Sequence, residues 1–202
     1  HSVVAGITAT PLTRTTLNLS PTLRLSYKPQ RGTELRLDYF GRSFAPTNEQ
    51  LAPVQDVTNP LISYVGNQDL LPGFQHNLFC RFSRYWTKTQ TSLSLFGRAQ
   101  VVQKDIIQRS QYEVASGKRT IDYTNVDGNA SLGLGGFFTQ TLPGKKFSIR
   151  VASFNDLAQS NTYINGEKNR SRSLRLREEL GLNYRITGID MTLKGSFGYY
   201  NA

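Results

Sequence analysis

Eight stretches of this chain alternate apolar and polar residues over roughly ten positions each, and the connections between them run short, long, short, long. A period of two puts one apolar and one polar face on a strand, whereas a helix would repeat every 3.6 residues. The expected strands are Thr16–Tyr27, Thr33–Gly41, Phe74–Trp86, Thr91–Gln103, Ile121–Thr139, Phe147–Phe154, Arg172–Ile186 and Ile189–Tyr200. Tight turns join them at Lys28–Gly32, Thr87–Gln90, Gln140–Lys146 and Thr187–Gly188. Long polar connections join them at Arg42–Gly73, Lys104–Thr120 and Asn155–Ser171. Pro21 is awkward inside the first strand, because it cannot donate to a ladder, and marks a bulge there.

Length sharpens this reading. Strands in water usually run about 5–6 residues, whereas a tilted strand crossing a bilayer needs about 9–11. Turns at one end and long loops at the other are the plan of an outer-membrane barrel, whose outer face meets lipid. Only 38% of the 202 residues are hydrophobic, and the mean hydropathy is −0.41. That excludes a bundle of membrane helices, each needing about 20 apolar residues. It does not exclude a barrel, where only alternate residues face lipid.

Aromatic placement points the same way. Tyr27, Trp86, Phe138, Phe147 and Tyr184 all share the apolar parity, and all flank a tight turn. Amphipathic rings gather in this manner at a membrane interface. Two residues break the apolar face. Arg84 lies beside Trp86, and Glu178 lies nearer the loop end of its strand than Leu182 or Tyr184. A charge away from the bilayer midplane costs less than one at its centre.

The net charge of +10 comes from residues spread along the strands. The polar parity carries Arg24, Arg36, Arg81, Arg98, Arg150, Arg175, Arg177 and Arg185, predicting a basic lumen with Asp38, Asp127, Glu179 and Asp190 as pairing partners. A nucleic-acid binder would present stacking aromatics on the same face as its bases. Here Tyr27, Trp86 and Tyr184 lie opposite Arg24, Arg81 and Arg185, so no nucleic-acid partner is expected.

Catalytic chemistry has little to stand on. His1 and His76 are the only histidines and Cys80 the only cysteine, so neither zinc spacing nor an intrachain disulfide exists. Glu178 and Glu179 point to opposite faces of one strand and cannot act as an acid pair. The run Leu132-Gly133-Leu134-Gly135-Gly136 lacks the helix and the Lys-Ser/Thr of a phosphate loop; strand glycines instead permit curvature or close approach. Neither enzyme activity nor a cofactor or metal is expected. Asn18, Asn129 and Asn169 begin Asn-Xaa-Ser sequons that would be idle in bacteria.

The segment Arg42–Asn77 contains Arg42 to Pro46, then Asn59-Pro60, then Gly66-Asn67-Gln68-Asp69-Leu70-Leu71-Pro72. It resembles the barrel region of TonB-dependent receptors, especially the outer-membrane β-barrel family abundant in Bacteroidetes. Glu often follows the last proline in that family; here Gly73-Phe74 follows. Tyr163–Asn169 and Glu179–Tyr184 are similar to the family as well. The resemblance implies a barrel of about 22 strands around an N-terminal plug. This all-β chain would then supply about eight antiparallel transmembrane strands as one internal piece, residues 1–202, without the plug, the coupling box or the C-terminal strands. It further implies a bacterial outer-membrane location. The implied partners are membrane lipid, an extracellular ligand such as a siderophore or oligosaccharide, and a periplasmic energy-coupling protein reached through the plug.

Within the long first loop, Gln50, Gln55, Asp56 and Tyr64 are the candidates for ligand contact, while Asn59–Pro72 holds the loop's shape. Arg36, Arg98, Arg175 and Arg177 are the candidate lumenal bases. Two other readings stay open on the residues alone. One is a soluble lipocalin-like barrel with the apolar parity inside; the other is an outer-membrane adhesin or structural protein.

Overall fold

The computed structural model describes residues 18–52, 56–59 and 61–202. Among them are twelve strands and one short helix, α1 (Asn48–Leu51). Eight long strands form the wall: β1 (Thr22–Gln30), β2 (Thr33–Phe44), β5 (Gly73–Trp86), β6 (Thr91–Gln103), β9 (Asn129–Thr141), β10 (Phe147–Ile164), β11 (Glu167–Ile186) and β12 (Ile189–Asn201). Each pairs antiparallel with the next in an unbroken meander from β1 to β12. The described sheet does not close, since β1 and β12 are not paired with each other. No described helix is long and apolar enough to cross a membrane.

Register alignment carries the alternation across the whole wall. One row runs Leu25, Leu37, Cys80, Gly97, Leu134, Asn155, Leu176, Tyr199 on the apolar face. A row on the other face runs Arg24, Asp38, Phe79, Arg98, Gly133, Asp156, Arg175, Tyr200. Because the side-chain period is two, a slip of one residue in any pair would mix these faces. The apolar face stays open: Leu23, Leu95, Leu134, Leu180 and Leu193 are all exposed. Few side chains are buried, and most of those lie at the end of the sheet that carries the long connections.

The five turn-flanking aromatics keep their place on the apolar face. Phe147 and Tyr184 are register partners with ring centroids 4.7 Å apart. Arg84 lays its guanidinium over Trp86, 4.7 Å from the ring centroid. A long basic side chain can thus sit on the apolar parity while its charge reaches the interface.

The long connections differ from expectation in four ways. The predicted loop Lys104–Thr120 is largely a hairpin, β7 (Asp105–Tyr112) with β8 (Arg119–Val126). The predicted single strand Ile121–Thr139 is two elements, broken at Asp127-Gly128. There Gly128 has φ +98° and the Asp127 carboxylate accepts the Lys104 amide at 2.7 Å. The predicted loop Asn155–Ser171 is strand almost throughout, because β10 and β11 continue in register up to the Asn165-Gly166 turn. Both turn residues have positive φ, 50° and 81°, the geometry that favours Asn-Gly in two-residue hairpins. The loop Arg42–Gly73 is not structureless either: it carries α1 and the short strands β3 (Asp56–Asn59) and β4 (Ile62–Tyr64).

The first strand also starts later than predicted, at Thr22 rather than Thr16; residues 1–17 lie outside those described. Pro21 sits just before the strand and still accepts from the Gly41 amide at 2.8 Å. A side chain at Gly41 would meet the Pro21 ring and the Phe74 ring, at 2.9 and 2.5 Å.

Candidate functional site

Two regions could meet a ligand: the polar face of the wall and the sheet above it. On the polar face acidic residues sit beside arginines, and ion pairs form both along single strands and across the ladder. Asp38 accepts from both Arg24 and Arg36 at 2.6 Å. Arg177 pairs with Glu179 at 3.2 Å and Arg185 with Asp190 at 2.7 Å. Arg98 reaches Asp156, two strands away, at 2.7 Å. Asp156 was not foreseen as a partner, and Asp127 serves the backbone of Lys104 instead of an arginine.

Rings hold several of the arginines, including Arg177, which also pairs with Glu179. Arg150 lies over Phe137 at 4.5 Å, Arg175 over Tyr200 at 5.6 Å and Arg177 over Phe154 at 4.8 Å. Such contacts fix a guanidinium while leaving its donors available. Arg81 has no ion pair among the described residues.

Of the four candidate lumenal bases, the structure brings two together. Arg98 and Arg175 line one hollow of about 210 Å³ with Asp156, Tyr200, Ser131 and Ser173. The hollow offers guanidinium donors, hydroxyls and one aromatic face, a set suited to anionic or hydroxyl-rich ligands. Arg36 lies elsewhere, on Asp38, and Arg177 sits one row toward the tight turns. Nearer those turns a second hollow of about 310 Å³ is lined by Arg150, Glu179 and Lys194 around Gly181.

Above the wall the long connections build a sheet of their own. β4 pairs parallel with β8, and β7 pairs parallel with the tip of β10 through Tyr163–Arg109 and Ile164–Ser110. Arg109 and Asp122 form an ion pair across β7 and β8. Hydrogen bonding to Asp122 holds the Arg109 guanidinium above its ordinary pKa, against the opposing effect of burial.

Asparagines tie this sheet to the Gly66–Pro72 motif. The Asn125 amide donates to the carbonyls of Leu71 and Lys104, at 2.9 and 2.8 Å, while its oxygen accepts the Leu71 amide at 2.8 Å. Asn67 donates to the Tyr123 carbonyl and accepts the Asp69 amide, both at 2.9 Å. The side chain closing that turn is therefore Asn67. Leu70 is 1% exposed, and a side chain at Gly66 would strike the Ala52 carbonyl at 2.0 Å.

The candidate loop residues fare unevenly. Gln50 is occupied in a capping box with Thr47, its side chain accepting the Thr47 amide at 2.9 Å. Tyr64 is exposed at the end of β4. Asp56 begins β3, but its side chain and the whole of Gln55 lie outside the described residues. Sequence reasoning missed Asn125 and Asn161 as organising residues. Asn161 is 1% exposed and bonded to Asn129 and the Asp127 carbonyl. An Asp-Gly break between polar-rich segments was the available signal.

Comparison of the sequence with curated proteins finds no match. Among solved structures, the fold is similar to the siderophore receptor PirA from Pseudomonas aeruginosa, with a TM-score of 0.46 and 11% identity. That alignment covers 91% of this chain and 42% of the receptor, so the chain spans less than half of that protein. The model of the outer membrane protein beta-barrel family matches residues 7–200. With apolar and polar faces separated over eight wall-length strands, the chain belongs to the outer membrane protein beta-barrel family and resides in the bacterial outer membrane.

Proposed function

We propose that this chain is part of the wall of a TonB-dependent-type receptor of the kind abundant in Bacteroidetes, taking up an extracellular ligand such as a siderophore or oligosaccharide. The observation that carries the reading is the ordered sheet built above a basic polar face. Two separate long connections are cross-bonded there at the Gly66–Pro72 motif through Asn67 and Asn125. A passive wall needs no such superstructure, whereas a receptor needs a shaped surface over its lumen. The outer-membrane location removes the soluble-barrel alternative. Under this reading the work is recognition and passage, without catalysis or a bound cofactor. The lumenal arginines that carry no ion pair meet ligand or the carboxylates of a plug.

The test uses the full-length protein in cells. Deleting Ala52–Val57 is expected to reduce uptake of its ligand, screened among ferric siderophores, oligosaccharides, peptides and cobalamin. Assembly, judged by heat-modifiable gel mobility, should be intact. Uptake by the parent should stop when the proton gradient is collapsed. Surface binding without gradient-dependent uptake of any of these would overturn the transporter reading and favour an adhesin.

A further inference from the structure

The continuation of β11 beyond the apolar band carries a basic row on the outward face. Leu176 and Leu174 face outward, so the same parity places Arg172, Arg170 and Lys168 outward as well. All three are exposed, and none has a carboxylate partner among the described residues. Arg172 donates only to Gln159, at 3.0 Å. Their register partners on β10 are the uncharged Gln159, Asn161 and Tyr163, and the one nearby carboxylate on the strand, Glu167, has the opposite parity.

Height places this row at the headgroups. Tyr184 marks the periplasmic interface, and Arg172 lies twelve residues above it on the same strand. A rise of about 3.3 Å per residue and a tilt near 40° put Arg172 about 30 Å up, just above an apolar band about 25 Å tall. Arg170 and Lys168 follow at steps of about 5 Å in height. Leu174 and Leu157, paired in register, lie immediately below as the last apolar rung. A neighbouring strand would pair within the sheet plane and leave this outward row uncovered.

We propose that Lys168, Arg170 and Arg172 bind the phosphate groups of the anionic glycolipid of the outer leaflet. Evenly spaced cations beside hydrocarbon, lacking protein counter-charges, match a phosphorylated headgroup whose acyl chains lie along Leu174 and Leu157. A soluble ligand in the lumen cannot reach them, because they point away from it.

The full-length protein is purified in mild detergent and its retained glycolipid counted by mass spectrometry. It is then titrated with the host's own phosphorylated outer-leaflet glycolipid and with the same lipid after phosphatase treatment. K168Q/R170Q/R172Q is expected to retain the phosphorylated lipid about a hundredfold less well. R31Q/K145Q/K146Q, which removes the same charge at the periplasmic turns, should retain it as the parent does. The dephosphorylated lipid should bind the parent as weakly as the triple variant binds the intact lipid. Equal retention by parent and triple variant, or indifference to phosphate, overturns the proposal. If the triple variant fails to assemble, R172Q alone decides: a fall of about fivefold supports the proposal and no change overturns it.

Discussion

Arg98 on β6 reaches Asp156 on β10 across the whole width of β9, and it passes over Gly133 to do so. A β-carbon at position 133 would lie 2.6 Å from the arginine Nε and 2.8 Å from the carboxylate. Gly135 does the same for a ring pair: Phe96 lies over it to meet Phe154, with centroids 5.9 Å apart. The glycine run of β9 is thus a lane for side chains from its two neighbours.

Gly133→Val should therefore break the Arg98–Asp156 contact. Both partners are well exposed, so the ion pair itself is worth at most about 1 kcal/mol, and crowding adds about 1–3 kcal/mol. Urea titration of the full-length barrel, followed by heat-modifiable mobility, measures the sum. A double-mutant cycle with Asp156→Asn should show the two changes to be less than additive. Full additivity would mean that the glycine does not serve the pair.

Leu180 lies four residues above Tyr184, about 10 Å up and near the middle of the apolar band. Leu180→Arg is expected to cost about 2–4 kcal/mol in a folding titration. Asn183→Arg, on the lumenal face beside Thr192, should cost far less. Equal costs would reverse the assignment of faces.

On the same scale Glu178 lies about 15 Å up, as near the middle of the band as Leu180 and not toward its edge as its order along the strand suggests. It is accommodated on the lipid side by Ser153, whose hydroxyl donates to its carboxylate at 2.8 Å, with Asn155 donating to Ser153 at 2.8 Å. Ser153→Ala should destabilise by about 1 kcal/mol, because the carboxylate loses that donor. Glu178→Leu should leave stability unchanged or raise it, since the cost of placing a charge there disappears. A loss exceeding about 1 kcal/mol for Glu178→Leu would assign the carboxylate a positive structural role.

The pH response of the β7–β8 hairpin follows from Arg109. Its folded-state pKa is raised, so its contribution is complete below the unfolded value and is lost only as pH rises through the folded one. Through the neutral and mildly alkaline range the hairpin should therefore keep constant amide protection in hydrogen exchange, corrected for intrinsic rates. Asp122→Asn should lower that protection at every pH in the range. A protection loss developing near neutrality in the parent would show that another group governs the hairpin.

The eight wall strands were legible because lipid on one side and a polar lumen on the other impose the period of two. Where that contrast ends, so does the signal. In β7, Ile106 and Ile107 are adjacent, and in the upper β10 and β11 both parities are polar, as at Gln159-Ser160 and Asn169-Arg170. Water on both faces leaves no alternation to read. The Asn165-Gly166 turn was a legible sign of the long hairpin, and Asp127-Gly128 of the break before β9. Of the candidate site, the arginine row was readable from parity. The meeting of Arg98 with Arg175 depends on register across four strands, which parity does not specify.

The parallel pairing of β7 with β10 also dates the sheet above the wall, at the end where outer-membrane barrels carry their long outer loops. Tyr163 and Ile164 can meet Arg109 and Ser110 only when both stretches have arrived on the same side of the membrane. Arg109 follows β6 and its partner lies at the tip of β10, so β9 and the lower β10 must both cross the bilayer before the two can pair. β4 and β8, more than fifty residues apart in the chain, must likewise both be in place before they pair. The loops therefore acquire their final shape as a closing event of assembly. A barrel stalled partway through insertion would show the cell surface an unfinished face.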